Sequence, residues 1–293
     1  MAEMQLTATR RRDPGLLPYW LPAVGLLVLY VPTFVDLMRG VWSTEDQSYG
    51  PFILLAVLGL FWWQRALLQQ LDERPCPVAG WLLFGAGLLL YVVGRSQNIL
   101  VGEVGSLIPI AAGLLLLTKG AAALRALWFP LLYLVFLIPL PGVLVDALTG
   151  TLKQWVSVAA EQALYSAGYA VARNGVMLTL GHYQLLVADA CSGLHSLFAL
   201  MALGLFFIYA IRRPSRWHNA LMVASILPIA FAANVARVVI LSLVTYHGGD
   251  ALAQGALHGA IGMLLFAVAL LLLFVLDAGL QALAGLRRRS AVR

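Results

Sequence analysis

Charge is what this chain has least of. Asp, Glu, Lys and Arg make up 11% of its 293 residues, against 61% hydrophobic, whereas soluble domains carry about 25% charged and about 45–50% apolar residues. With a mean hydropathy of +0.88, that shortage excludes a soluble globular domain and leaves a polytopic membrane protein. Cysteine is equally scarce. Cys76 and Cys191 are the two in the chain, too few and too far apart for a thiolate metal site. No histidine pair stands at helix-ligand spacing with a carboxylate and no glycine-rich loop follows a strand, so no metal and no nucleotide cofactor is expected. The net charge of +6 would suggest nucleic acid in a soluble protein. Here the basic residues gather at the ends of apolar runs and read as topology determinants, with no nucleic-acid partner.

What is present is a series of apolar runs. Arg10, Arg11 and Arg12 precede the first, from about Leu16 to Met38, which is too long for a signal-peptide core and lacks a small-residue cleavage site, so it is expected to be retained. Further spans are expected at about Pro51 to Leu68, Ala79 to Gly94 and Ile99 to Leu117, and a fifth ends at the breaker Pro139-Leu140-Pro141-Gly142. Three long helices close the chain, at about Cys191 to Ile211, Trp217 to Tyr246 and Gln254 to Leu276. With both termini inside, fourteen of the nineteen Lys and Arg fall in inner segments, four outside, and Arg237 lies within a helix. The opposite orientation inverts that bias. The expectation is therefore an all-α bundle of about eight transmembrane helices in a single integral membrane domain. Residues 1–15 form a cytoplasmic tail, 143–190 an outer interfacial segment, 191–280 the catalytic helices and 281–293 a basic cytoplasmic tail.

The segment 143–190 breaks the rhythm. Asp146, Thr149, Lys153, Ser157 and Glu161 recur at three- and four-residue steps opposite Leu144, Leu148, Leu152, Trp155 and Ala159, the pattern of an amphipathic helix along the surface. Val176 to Leu180 and Tyr183 to Val187 flank Gly181-His182, a two-residue hairpin turn. Its plain reading is a packed outer cap. Its sharper reading is a platform that holds a substrate strand over Cys191.

Three residues carry the candidate chemistry. Cys191 stands on the outer side where a polar segment turns into an apolar helix, and a helix N-terminus favours the thiolate. Cys76 falls between two prolines in an inner loop, across the ~30 Å hydrocarbon core from Cys191, so no disulfide joins them. Arg237 is the sole charge in ILPIAFAANVARVVILSLV, at a cost of at least ~2.5 kcal/mol, and ~13 Å below the outer end of its helix. Asn234 is placed to brace it; a structural ion pair or a lipid-headgroup contact is the plainer role for this arginine. His258, in GALHGAIG, starts the last helix among small residues that allow close approach. It can take a thiol proton and return it to a leaving amine. Cys191 would attack a peptide carbonyl to form a thioester, and Arg237 would stabilise the thiolate or the oxyanion. His195, four residues after Cys191, is the second candidate base. Asp189 is near enough in sequence to orient a partner, and Ser192 can cap the helix or act as an alternative nucleophile.

Cys191-Ser192-Gly193 opening a helix, Asn234 to Arg237 as N-x-x-R, and the later helix-start His258 together resemble the exosortase and archaeosortase family of multi-pass cysteine transpeptidases. The resemblance covers nearly the whole chain. It implies substrates with a C-terminal sorting signal, namely a Pro-Glu-Pro type (PEP-CTERM) motif, a transmembrane helix and a basic tail. It also implies work at the bacterial inner membrane with the site toward the periplasm, often beside exopolysaccharide production, and a catalytic set of Cys191, Arg237 and His258. The chain departs from the pattern where many members have Ser-His-Gly, since it reads Ser48-Tyr49-Gly50. Two other readings stand beside this one. A transporter or lipid-linked glycan handling protein would use Arg237 to bind an anionic group, and an intramembrane protease would resolve the same thioester with water. Partners otherwise reduce to membrane lipids, and the glycine-rich helices can pack within one bundle or between copies.

Overall fold

In lipid, a backbone without water must bond to itself, and a continuous apolar run can do so as a helix. The structure, a computed structural model, describes residues 17–44, 47–72, 74–139, 142–186, 193–213, 215–249 and 256–290. Its first half holds α1 (Leu17–Arg39), α2 (Gly50–Trp63), α3 (Arg65–Gln70), α4 (Pro77–Ser96), α5 (Leu100–Gly105), α6 (Leu107–Thr118), α7 (Ala121–Ala126) and α8 (Trp128–Tyr133), the last running into a 3-10 turn at Leu134–Leu137. Then come α9 (Gly142–Ser166), β1 (Val171–Asn174), β2 (Met177–Leu180), β3 (Tyr183–Leu186), α10 (Gly193–Ile211), α11 (Arg216–Gly248) and α12 (Ala256–Ser290). Among the described residues six helical stretches are long and apolar enough to cross a membrane: Val24–Ser43, Gly50–Gln70, Pro77–Ser96, Leu100–Thr118, Arg216–Gly248 and Gly259–Leu283. Shorter apolar helices, Trp128–Leu137 and Phe198–Ile211, occupy the places of the fifth and sixth expected spans. The last helix does not stop near Leu276 but continues to Ser290, because Gln281-Ala282-Leu283-Ala284 and the arginines after them are good helix formers with no proline among them.

Two devices assemble the first half. On α4, Gly80, Gly87 and Gly94 recur every seven residues. A Cβ added to them would lie 2.7 Å from the Leu117 side chain, 2.6 Å from that of Ile110 and 2.4 Å from the Glu103 backbone nitrogen, respectively. The bare stripe thus sets α4 directly on α5 and α6 by close packing. Polar groups then tie in α1. Tyr30 Oη and Ser106 Oγ are 2.6 Å apart, the Thr33 hydroxyl donates to Glu103, and Arg95 Nη1 donates to Asp36 at 2.6 Å and to Glu103 at 3.0 Å.

The helix expected at the surface forms as α9, but its faces differ from the expected ones. Val156, Ala160 and Leu164 are buried together with Thr149 and Ser157, while Trp155 is 63% exposed. The two hydroxyls can turn inward because each bonds within its own helix, Thr149 to the Val145 carbonyl and Ser157 to that of Lys153. Small inward residues then let α9 pack on α11 and the sheet, leaving Trp155 and Tyr165 outward, where amphipathic rings suit a membrane boundary.

The sheet is antiparallel in the order β1-β2-β3. The expected hairpin is there, with Leu180 paired to Tyr183 across Gly181-His182, although Val187 falls outside the described residues. A further strand, β1, precedes it, with Asn174 paired to Met177 across Gly175-Val176. Gly175 and Gly181 have φ of +63° and +62°, so both turns put glycine at the first central position, as two-residue hairpins prefer. Leu178 of β2 is buried with Val156 and Ala160 of α9 and Val238 and Leu241 of α11.

The last three helices share a core of Leu200, Met222, Ile226, Ala230, Ala269 and Leu273. At the end away from the sheet they are fastened by Asp277, whose carboxylate meets Arg213 Nη2 at 2.9 Å, His218 Nε2 at 2.7 Å and Gln281 Nε2 at 2.6 Å.

Candidate functional site

α11 is the axis of the site, with α9, α10 and α12 packed around it. On its inward face Asn234 and Arg237 are buried, Arg237 to 8% exposure. Four of the residues that share a cleft with this charge are small. Ala230 and Ala233 precede it on α11, and Gly262 and Ala269 face it from α12. Together with Asn234, Leu265, Phe266 and Leu200 of α10, they line a cleft of about 20 Å³ with Arg237 in its wall.

The guanidinium crosses from α11 to α12. A Cβ built on Gly262 would lie 3.2 Å from Arg237 Nη2 and 3.3 Å from its Cζ. The fork therefore rests on bare backbone, and a Cβ there would require it to give by a few tenths of an ångström. His258 precedes Gly262 by one helical turn on the same face of α12, ~6 Å along the axis. From α10, Leu200 reaches the same cleft, and Gly193, the first residue of that helix, lies ~10 Å further along its axis.

The structure thus gathers around Arg237 the three helices on which the sequence analysis had set the candidate chemistry. Asn234 and Arg237 are described in full. Gly193, His195 and His258 are described as helix positions, and Asp189, Cys191 and Ser192 lie outside the described residues. His195 is five residues before Leu200, which puts its position ~140° around α10 from the residue that lines the cleft. The remaining histidines have partners elsewhere. His182 sits in the β2–β3 turn against Tyr183, its ring centroid 4.3 Å away. His218 is held by Asp277. His247 is in the last turn of α11, with Nε2 3.1 Å from the Tyr169 hydroxyl. Cys76 precedes α4, where its backbone N–H donates to the Leu116 carbonyl at 2.9 Å.

Two buried polar centres escaped the sequence analysis, the Asp277 cluster and one at Glu103. Glu103, 2% exposed, accepts from Thr33 and Arg95 between α1 and α4. Its signal was available, since a lone carboxylate inside the run Ile99 to Leu117 is as costly in lipid as Arg237.

Comparison with known proteins identifies a family. The family model described as transmembrane exosortase fits residues 41–275, a stretch that takes in positions 191, 237 and 258. No curated protein matches the chain, and no solved structure does.

Proposed function

The chain belongs to the transmembrane exosortase family, and on that footing we propose that it is a membrane-embedded cysteine peptidase and transpeptidase. Its substrates are membrane-anchored proteins with a C-terminal signal of the PEP-CTERM kind. The observation that carries this reading is the seat of Arg237: a buried guanidinium laid on Gly262, one turn from His258, beside the helix that begins at Gly193.

In this mechanism the Cys191 sulfur adds to a peptide carbonyl carbon as His258 takes the thiol proton. Arg237 offers paired N–H donors to the thiolate or to the oxyanion. A fixed cation in a low-dielectric site needs no reorganisation as that charge develops. Collapse of the adduct breaks the C–N bond, His258 protonates the leaving amine, and a thioester remains on Cys191. Attack by water then gives a free carboxylate, and attack by an amine gives a new amide; either regenerates the thiol. Asn234 braces Arg237 from the same helix face. The site faces the periplasm of a bacterial inner membrane, where the juxtamembrane peptide of a bilayer-anchored substrate is presented.

The test is co-expression with a reporter carrying a Pro-Glu-Pro motif, a transmembrane helix and a basic tail. Cys191→Ala should abolish processing while the protein still accumulates in the membrane. Persistent processing would remove the thiol mechanism and favour an anion-binding role for Arg237. The mass of the new C-terminus distinguishes transfer from hydrolysis.

A further inference from the structure

A peptide bond is open to attack when its carbonyl is not spent in a helix, so a peptidase of this kind must hold its substrate extended. The sheet has an edge suited to that task. Across a two-residue turn the flanking residues Leu180 and Tyr183 form a hydrogen-bonded pair, and pairs alternate from there. Leu178 and Leu185 are therefore bonded as well. Tyr183 and Leu185 direct their backbone groups to β2, and Gln184 and Leu186 direct theirs away from it.

The two edges of the sheet differ. Along β1, α9 packs close by, and Arg173 is clasped by Glu161 at 2.8 Å. Along β3, among the described residues, β2 is the one paired strand and no backbone bond from Gln184 or Leu186 runs to another element. Its sequence Tyr-Gln-Leu-Leu has none of the charges, prolines or bulges by which proteins blunt an edge, and Gln184 is exposed. The end of α11 meets the sheet at the other end of this strand, where Tyr246 lies beside Gly181. The chain then runs from Leu186 to Cys191 in five residues, a reach of at most ~17 Å.

We propose that β3 is the docking strand of the site, on which an extended juxtamembrane segment of the substrate pairs with Gln184 and Leu186 as a fourth strand. This rests on the peptidase reading above. Main-chain pairing supplies affinity without demanding a particular sequence, and the docking strand ends five residues before Cys191 in the chain. A second copy of the chain pairing edge to edge is the competing occupant.

The full chain in lipid nanodiscs, with the reporter described above, tests it. Gln184→Pro deletes the outward N–H and no bond to β2, a change that edge strands accept. Val171→Pro makes the equivalent change on the opposite edge, at the first residue of β1. Gln184→Pro should raise KM about tenfold, the loss of one hydrogen bond, with kcat nearly unchanged, and Val171→Pro should leave both near native values. Equal KM values for the native chain and Gln184→Pro would overturn the proposal while leaving the thiol mechanism intact, because that mechanism stands or falls with Cys191→Ala. Should Gln184→Pro fail to accumulate, a photocrosslinking residue at position 184 in the Cys191→Ala chain decides. Capture of the reporter supports the docking strand, and capture of a second copy or of nothing overturns it.

Discussion

At the scale of single residues, Gly262 is as informative as the arginine it seats. A side chain there pushes the guanidinium off its rest, and a displacement of about 1 Å can cost ~100-fold in rate. Gly262→Val is therefore expected to slow reporter processing by about two orders of magnitude with little change in the thermal midpoint, measured on one preparation in detergent. Arg237→Lys keeps the charge but loses the planar fork, and initial rates should fall by about 10²–10³, the loss typical of one oxyanion donor. Glu103→Ala belongs to a different experiment. It takes the shared acceptor from Thr33 and Arg95, so the unfolding free energy should drop by about 1.5–3 kcal/mol. Arg237 was legible in the sequence because a charge in an apolar run must have a reason. Its seat was not, since GALHGAIG offers several small residues and helical phase alone does not say which of them meets a neighbour.

At the scale of elements, the glycines of α4 separate packing from propensity. Gly94→Ala would drive a methyl into the Glu103 backbone, which cannot rotate away, and should destabilise by about 1–3 kcal/mol. Gly85→Ala on the same helix meets nothing within 4 Å and should be neutral or stabilising by up to about 1 kcal/mol. Thermal melts of the pair would check both, and equal midpoints would contradict the close approach of α4 to α5 and α6. Elements were legible wherever a period or a turn dominates. The β2–β3 hairpin followed from Gly181-His182 between apolar strands. β1 did not, because Val-Ala-Arg-Asn carries no apolar alternation, although Asn174-Gly175 was a turn signal in its own right. The faces of α9 were misassigned for a physical reason: a hydroxyl bonded to its own helix behaves as a small packing residue, as Thr149 and Ser157 do.

At the scale of the whole molecule, rings and charges report orientation. Trp62, Trp63, Trp81, Trp128 and Trp217 are exposed on the side walls, with Arg65 3.7 Å over Trp62 and Arg212 4.8 Å over Trp63, the composition of a membrane boundary. In a Cys76→Ser, Cys191→Ala background, a cysteine at position 155 should react with an impermeant maleimide on spheroplasts, and one at position 217 only after lysis. The reverse pattern would turn the molecule over and put the site inside. The all-helical membrane class and six of the expected spans were legible because lipid leaves so few options, whereas the fifth and sixth places hold shorter apolar helices; the convergence on Arg237 needed coordinates, since it joins α10 to residues more than sixty positions later. The glycine-first turns have a consequence in time. A three-strand sheet closed by two such turns pairs only near neighbours, and hairpins form in about 1–10 µs. Synthesis proceeds at about 5–20 residues per second. Leu178 can thus settle on Val156 and Ala160 several seconds before Val238 leaves the ribosome, so the growing chain closes its sheet first and delivers α11 and α12 onto it afterwards.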